Sequence, residues 1–177
     1  MKEETEPLAM EAILEGPVPA GFSRLPGPFR LLLGLDGTLT RSLTFLSGER
    51  VEVETVLLPD SPEGQRKVYL RVPTLGRLVF ARTRLLPSPE RGFDPFITTL
   101  LRGDLAIGQS MEARYGPLLK DEFSVFSVCG PLDPDGPSET GETWARSYRM
   151  RTREGLSLRI EEFFLPALRR LAGGGPP

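Results

Sequence analysis

The chain has 177 residues, 39% hydrophobic and 26% charged, which suits one soluble-type domain with a substantial core. Its net charge of −2 gives no electrostatic case for nucleic acid or an anionic membrane as partner. With no histidine and one cysteine, Cys129, imidazole triads, imidazole or cysteine metal sites and internal disulfides are excluded.

Residues 1–28 read as a partly ordered acidic arm, with either a short helix from Pro7 to Leu14 or a frayed segment. The stretch Met1 to Glu15 lacks the basic-then-apolar order of a signal peptide, so a cytoplasmic location is expected. The apolar run Phe29 to Leu35 is far too short to span a bilayer. After the turn at Asp36-Gly37, Leu39, Leu43 and Leu46 at helical spacing predict a helix over 38–46, stopped by Gly48. Three extended runs follow at 50–58, 67–72 and 77–86, the last two joined by a hairpin turn at Pro73 to Gly76.

Asp94 and Pro95 are the cap and first position of a helix ending before Gly103, and Ile107 to Tyr115 is a second helix. Phe123 to Cys129 reads as a strand and 130–143 as a Pro/Gly/Asp-rich loop. A closing hairpin, 144–152 and 156–165, turns at Arg153-Glu154-Gly155. Residues 29–168 then form one α+β domain, an antiparallel β-sheet with helices packed on it, and 169–177 a disordered tail.

The last strand carries the most informative residue. With period two, Leu156, Leu158, Ile160, Glu162 and Phe164 share one face, so Glu162 lies among apolar side chains while Glu161 looks the other way. A carboxylate in such a place requires a cation, a donor or a ligand. Arg82 or Arg149 could supply a structural partner. Arg82 shares a face with Leu78 and Phe80, which makes it also a candidate anion ligand. Arg71 alternates with Tyr69 against Val68, Leu70 and Val72, and periodicity leaves open whether its face meets solvent or lies under a covering helix.

Two motifs fail on inspection. Leu31 to Thr40 resembles the first motif of haloacid-dehalogenase phosphatases, but Gly34 stands where the nucleophilic aspartate belongs. Gly103 to Ser110 mimics a phosphate loop, but Gln109 replaces its lysine and a helix precedes it.

Asp36-Gly37-Thr38-Leu39-Thr40-Arg41, Tyr69-Leu70-Arg71, Ala81 to Pro87, Asp104 to Gly108 and Glu161 to Pro166 occur in an order that resembles the chorismate pyruvate-lyase (chorismate lyase) family. The resemblance covers roughly residues 30–168, and its closing E-x-F-L-P element is the most specific part. It implies an antiparallel sheet with helical flaps over a buried site, and conversion of chorismate to 4-hydroxybenzoate and pyruvate without metal or organic cofactor. It implies that Arg71 holds the ring carboxylate, that Glu162 lies near the ring hydroxyl, and that Ile107, Gly108 and Leu39 contact the ligand. The same fold occurs in small-carboxylate effector domains of transcription regulators, which carry a winged helix upstream. Residues 1–28 are too few to form one.

Overall fold

The structure is a computed structural model and describes residues 20–56, 64–87, 94–103, 105–130 and 142–171. Six strands form one antiparallel sheet: β1 Glu52–Val56, β2 Gln65–Val72, β3 Gly76–Leu85, β4 Leu119–Cys129, β5 Glu142–Arg151 and β6 Ser157–Phe164. Their spatial order is β1-β2-β3-β6-β5-β4. The helices are α1 Gly27–Gly34, α2 Leu39–Ser47, α3 Pro95–Arg102, α4 Ile107–Tyr115 and α5 Pro166–Leu171. This is the expected α+β architecture. The expected helix at 7–14, most of the loop 130–143 and the tail end lie outside the described residues.

The helices follow their sequence signals. Asp94 accepts from the Phe96 N–H at 2.8 Å and Pro95 opens α3, so the first-turn donors are met by a cap and a missing N–H. Gly48 closes α2 with φ of 70°, a left-handed conformation that a Cβ would oppose. The apolar run at Phe29 is helix α1, with Phe29, Leu32 and Leu33 buried and Leu31 exposed.

One sheet face packs beneath these helices and holds the main core. Val68, Leu70, Val72, Val79, Leu158, Ile160, Phe164, Trp144, Tyr148 and Met150 meet Phe29, Leu33, Leu43, Ile97 and Met111 there. The opposite face carries a smaller cluster of Tyr69, Phe80, Ala145, Phe163 and Leu165. Around it lie the ion pairs Arg77–Glu54, Arg82–Glu161 and Arg159–Glu122.

Strand β4 begins four residues before the expected Phe123, and the cause is local. The β4–β5 register shifts between Asp121 and Ser124, where Glu122 sits at φ of 50°. This β-bulge inserts a residue and reverses side-chain parity along β4. Lys120 pairs with Met150 and Val125 with Arg146, so both face the helices although they lie an odd five positions apart.

Candidate functional site

Two cross-strand rows on the helix-covered face build the site. In one, Arg66, Thr83, Ile160 and Tyr148 stand side by side across β2, β3, β6 and β5. In the next, Val68, Ala81, Glu162, Arg146 and Val125 do the same across β2, β3, β6, β5 and β4. Above them lies a cavity of about 180 Å³. Its walls are completed by the segment Asp36 to Thr40 and by Leu105 to Gly108 at the start of α4. Its floor and walls suit a small molecule with polar groups at its ends.

Glu162 is 6% exposed and lines this cavity, as its strand parity predicts. Neither Arg82 nor Arg149 is its partner. Arg146, 0% exposed and directly opposite on β5, donates from Nε to Glu162 Oε2 at 2.5 Å. Its Nη1 donates to Leu32 O at 2.8 Å and Leu35 O at 2.6 Å, which satisfies carbonyls left over at the end of α1. Tyr148 donates its hydroxyl to Glu162 Oε1 at 3.3 Å. Burial first, and then the Glu162 charge, push the Tyr148 phenol well above its ordinary pKa.

The arginines need correction. Arg71 lies on the other face of the sheet, its side chain 42% exposed, with Glu52 on the edge strand at 3.6 Å. It does not join Glu162. The alternation of β2 puts Arg66, not Arg71, in register with Val68 and Leu70 under the helices. Arg66 is 5% exposed and lines the cavity. Its Nη2 donates to Leu105 O at 2.8 Å, tying the segment before α4 to the sheet. Thr55 does the same from β1, donating to Gly103 O at 3.0 Å. Arg82 also points away from the cavity: its Nε lies 3.2 Å from Glu161, and its guanidinium covers the Phe163 ring.

The remaining expected residues converge. Leu39, Ile107, Gly108 and Glu162 all line the one cavity. Ala106, at the N-cap of α4, offers no side-chain acceptor, so the helix presents uncapped N–H groups and its positive dipole end there. Gly108 has nothing within 4 Å of the position a Cβ would take, so its backbone can approach a ligand closely.

Lys120 is a cavity residue that sequence reasoning missed. Its side chain is 16% exposed, and Nζ donates to Asp36 O and, at 3.2 Å, to Gly37 O. Burial holds its pKa below the usual lysine value, against the nearby Asp36 charge. Among the described residues, no group of three or more His, Cys, Asp or Glu side chains is placed to hold a metal ion. No helix among them is long and apolar enough to cross a membrane.

No protein-family model matches the chain, and no curated protein matches it. A solved structure that matches is the possible transcriptional regulator YydK from Bacillus subtilis subsp. subtilis str. 168, at 10% identity and a TM-score of 0.40. The alignment takes in 68% of this chain and 60% of that one.

Proposed function

We propose that the cavity binds a small ring carboxylate and that the chain converts chorismate to 4-hydroxybenzoate and pyruvate. One observation carries the reading: Glu162 and a buried arginine line the same small cavity, together with Leu39, Ile107 and Gly108. The arginine is Arg66, which takes the role the resemblance implied for Arg71. By strand spacing and rise, the Arg66 and Glu162 backbones stand roughly 12 Å apart. Their side chains shorten that gap to a span suited to a six-membered ring.

In this reading Arg66 and the first N–H groups of α4 hold the ring carboxylate, because a guanidinium fork and a helix N-terminus both favour an anion. Arg146 occupies Glu162 Oε2, which leaves Oε1 beside the Tyr148 hydroxyl as the oxygen for the ring hydroxyl. The C4 proton passes to the departing enolpyruvyl group as the C3–O bond breaks, so that group leaves as the enol of pyruvate and tautomerises to the ketone. Aromatisation drives the elimination, so orientation and exclusion of water are the protein's main contributions.

The test is incubation of purified protein with chorismate in the presence of chelator. Absorbance follows 4-hydroxybenzoate, and a coupled oxidation follows pyruvate. Both products should form in equal amounts, with Arg66→Met raising KM and Glu162→Gln lowering kcat. Product formation no faster than the spontaneous rate refutes the lyase reading. A non-catalytic carboxylate-binding domain is the second reading, favoured by the engagement of Glu162 with Arg146. It predicts 4-hydroxybenzoate binding without consumption of chorismate.

A further inference from the structure

We infer that Lys120 is a second anion ligand of the cavity and that the site selects rings bearing two carboxylates over rings bearing one. The inference rests on the cavity being a ring-carboxylate site and adds a specificity residue to it.

A largely buried lysine is uncommon, and a buried charge normally has a counter-charge in contact. Among the described residues, none lies at hydrogen-bond distance from Lys120. Its acceptors are two neutral backbone carbonyls, Asp36 O and Gly37 O. The nearest carboxylate oxygen, Asp36 Oδ1, is 3.8 Å away on a side chain 69% exposed. An ammonium has three N–H donors, so one is left for a further acceptor. The group lines the cavity, 5.3 Å from the centroid of the Tyr148 ring, so a bound anion can supply that acceptor.

Its placement comes from an unfavourable backbone conformation. A non-glycine residue at positive φ is uncommon, and Glu122 adopts it within the bulge that turns Lys120 inward. Without the bulge, Lys120 would face the other side of the sheet from Val125.

The positions of the cations define the ligand. Arg66 on β2 and Lys120 on β4 are four strands apart, roughly 19 Å at the backbone, and both side chains line one cavity. Glu162 on β6 lies between them. A ring with one carboxylate and a hydroxyl engages Arg66 and Glu162 but leaves the Lys120 end empty. A second carboxylate on a short arm, meta to the first, completes the set.

The probes are 4-hydroxybenzoate and 3-(carboxymethoxy)-4-hydroxybenzoate, a stable ring dicarboxylate, titrated calorimetrically into the full chain. Wild type should bind the dicarboxylate at least about tenfold tighter, the scale of one charge-assisted hydrogen bond. Lys120→Met should bring the ratio to within about twofold by weakening the dicarboxylate more than 4-hydroxybenzoate, and Lys120→Arg should restore the preference. Equal weakening of both ligands in Lys120→Met would make the residue only a fastener for the Asp36–Gly37 segment and overturn the inference. So would equal affinities in wild type. Failure of wild type to bind either probe would overturn the cavity reading itself, and this inference with it.

Discussion

Replacing Arg146 with methionine should be among the most damaging single changes in this domain. The substitution keeps most of the aliphatic bulk, so packing against Phe123, Tyr148 and Phe164 is largely retained and the effect is electrostatic. Removing one partner of a buried ion pair costs about 3–5 kcal/mol, because the other charge is left without compensation. Glu162 would keep only the 3.3 Å contact with Tyr148. Leu35 O would also lose its donor and Leu32 O would keep only the long bond from the Leu35 N–H, adding about 1 kcal/mol or more. A loss of about 4–6 kcal/mol is therefore expected. At about 2–4 °C per kcal/mol for a domain of this size, Tm should fall by about 8–24 °C.

Urea unfolding of Arg146→Met, Glu162→Met and the double variant measures this as a double-mutant cycle. The double variant should recover at least about 2 kcal/mol of the summed single losses, because a methionine pair has no charge to strand. Additive losses, or an Arg146→Met cost below about 1 kcal/mol, would show that Glu162 is not held by this pair.

Arg66→Met should weaken 4-hydroxybenzoate binding about 10- to 100-fold in a calorimetric titration, the range of a lost charge-assisted hydrogen bond. Arg71→Met should leave it within about twofold, since a half-exposed pair with Glu52 adds little; the reverse pattern would restore Arg71 to the site. Glu122→Gly relieves the positive φ at the cost of two exposed ion pairs, so the denaturant midpoint should stay close to that of wild type. Deleting Glu122 should instead turn Lys120 outward and abolish the preference for a dicarboxylate. The Tyr115 hydroxyl donates to the Asp94 carboxylate at 2.5 Å, and burial followed by that bond pushes its pKa up to about 12. The folded chain thus keeps a proton that the unfolded chain loses near pH 10, so stability falls as pH rises from 10 to 12. Tyr115→Phe should flatten that part of the stability profile, and an unchanged slope would refute the assignment.

The sequence rules worked where one signal governed one element. Period two placed Glu162 inside, the Asp94-Pro95 cap placed α3, and Gly48 placed the end of α2. They fell short where the answer depended on which sheet face the helices cover. Arg71 and Arg66 stand on opposite faces of one strand, and alternation separates them without saying which face is covered. Arg146 was within reach, since it alternates with Trp144, Tyr148 and Met150 just as Glu162 does with its apolar neighbours. Following one strand of the hairpin without its pair left that carboxylate without its true partner. Lys120 was out of reach, because its inward direction depends on a bulge at Glu122, an acidic residue with no glycine to announce positive φ.

The buried cations at this site also fasten nearby backbone, and for Arg66 and Lys120 that backbone is the cavity wall. Arg66 holds Leu105 O ahead of α4, Arg146 holds Leu32 O and Leu35 O, and Lys120 holds Asp36 O and Gly37 O ahead of α2. Backbone carbonyls therefore restrict these long side chains before a ligand arrives, and much of the ordering cost of binding is met during folding. The same economy couples wall and ligand: removing a cation loosens a segment as well as deleting a charge. Loss of affinity alone then fails to distinguish a ligand contact from a wall contact. The ratio between two ligands that differ by one carboxylate does distinguish them, because a loosened wall weakens both and a missing anion partner weakens one.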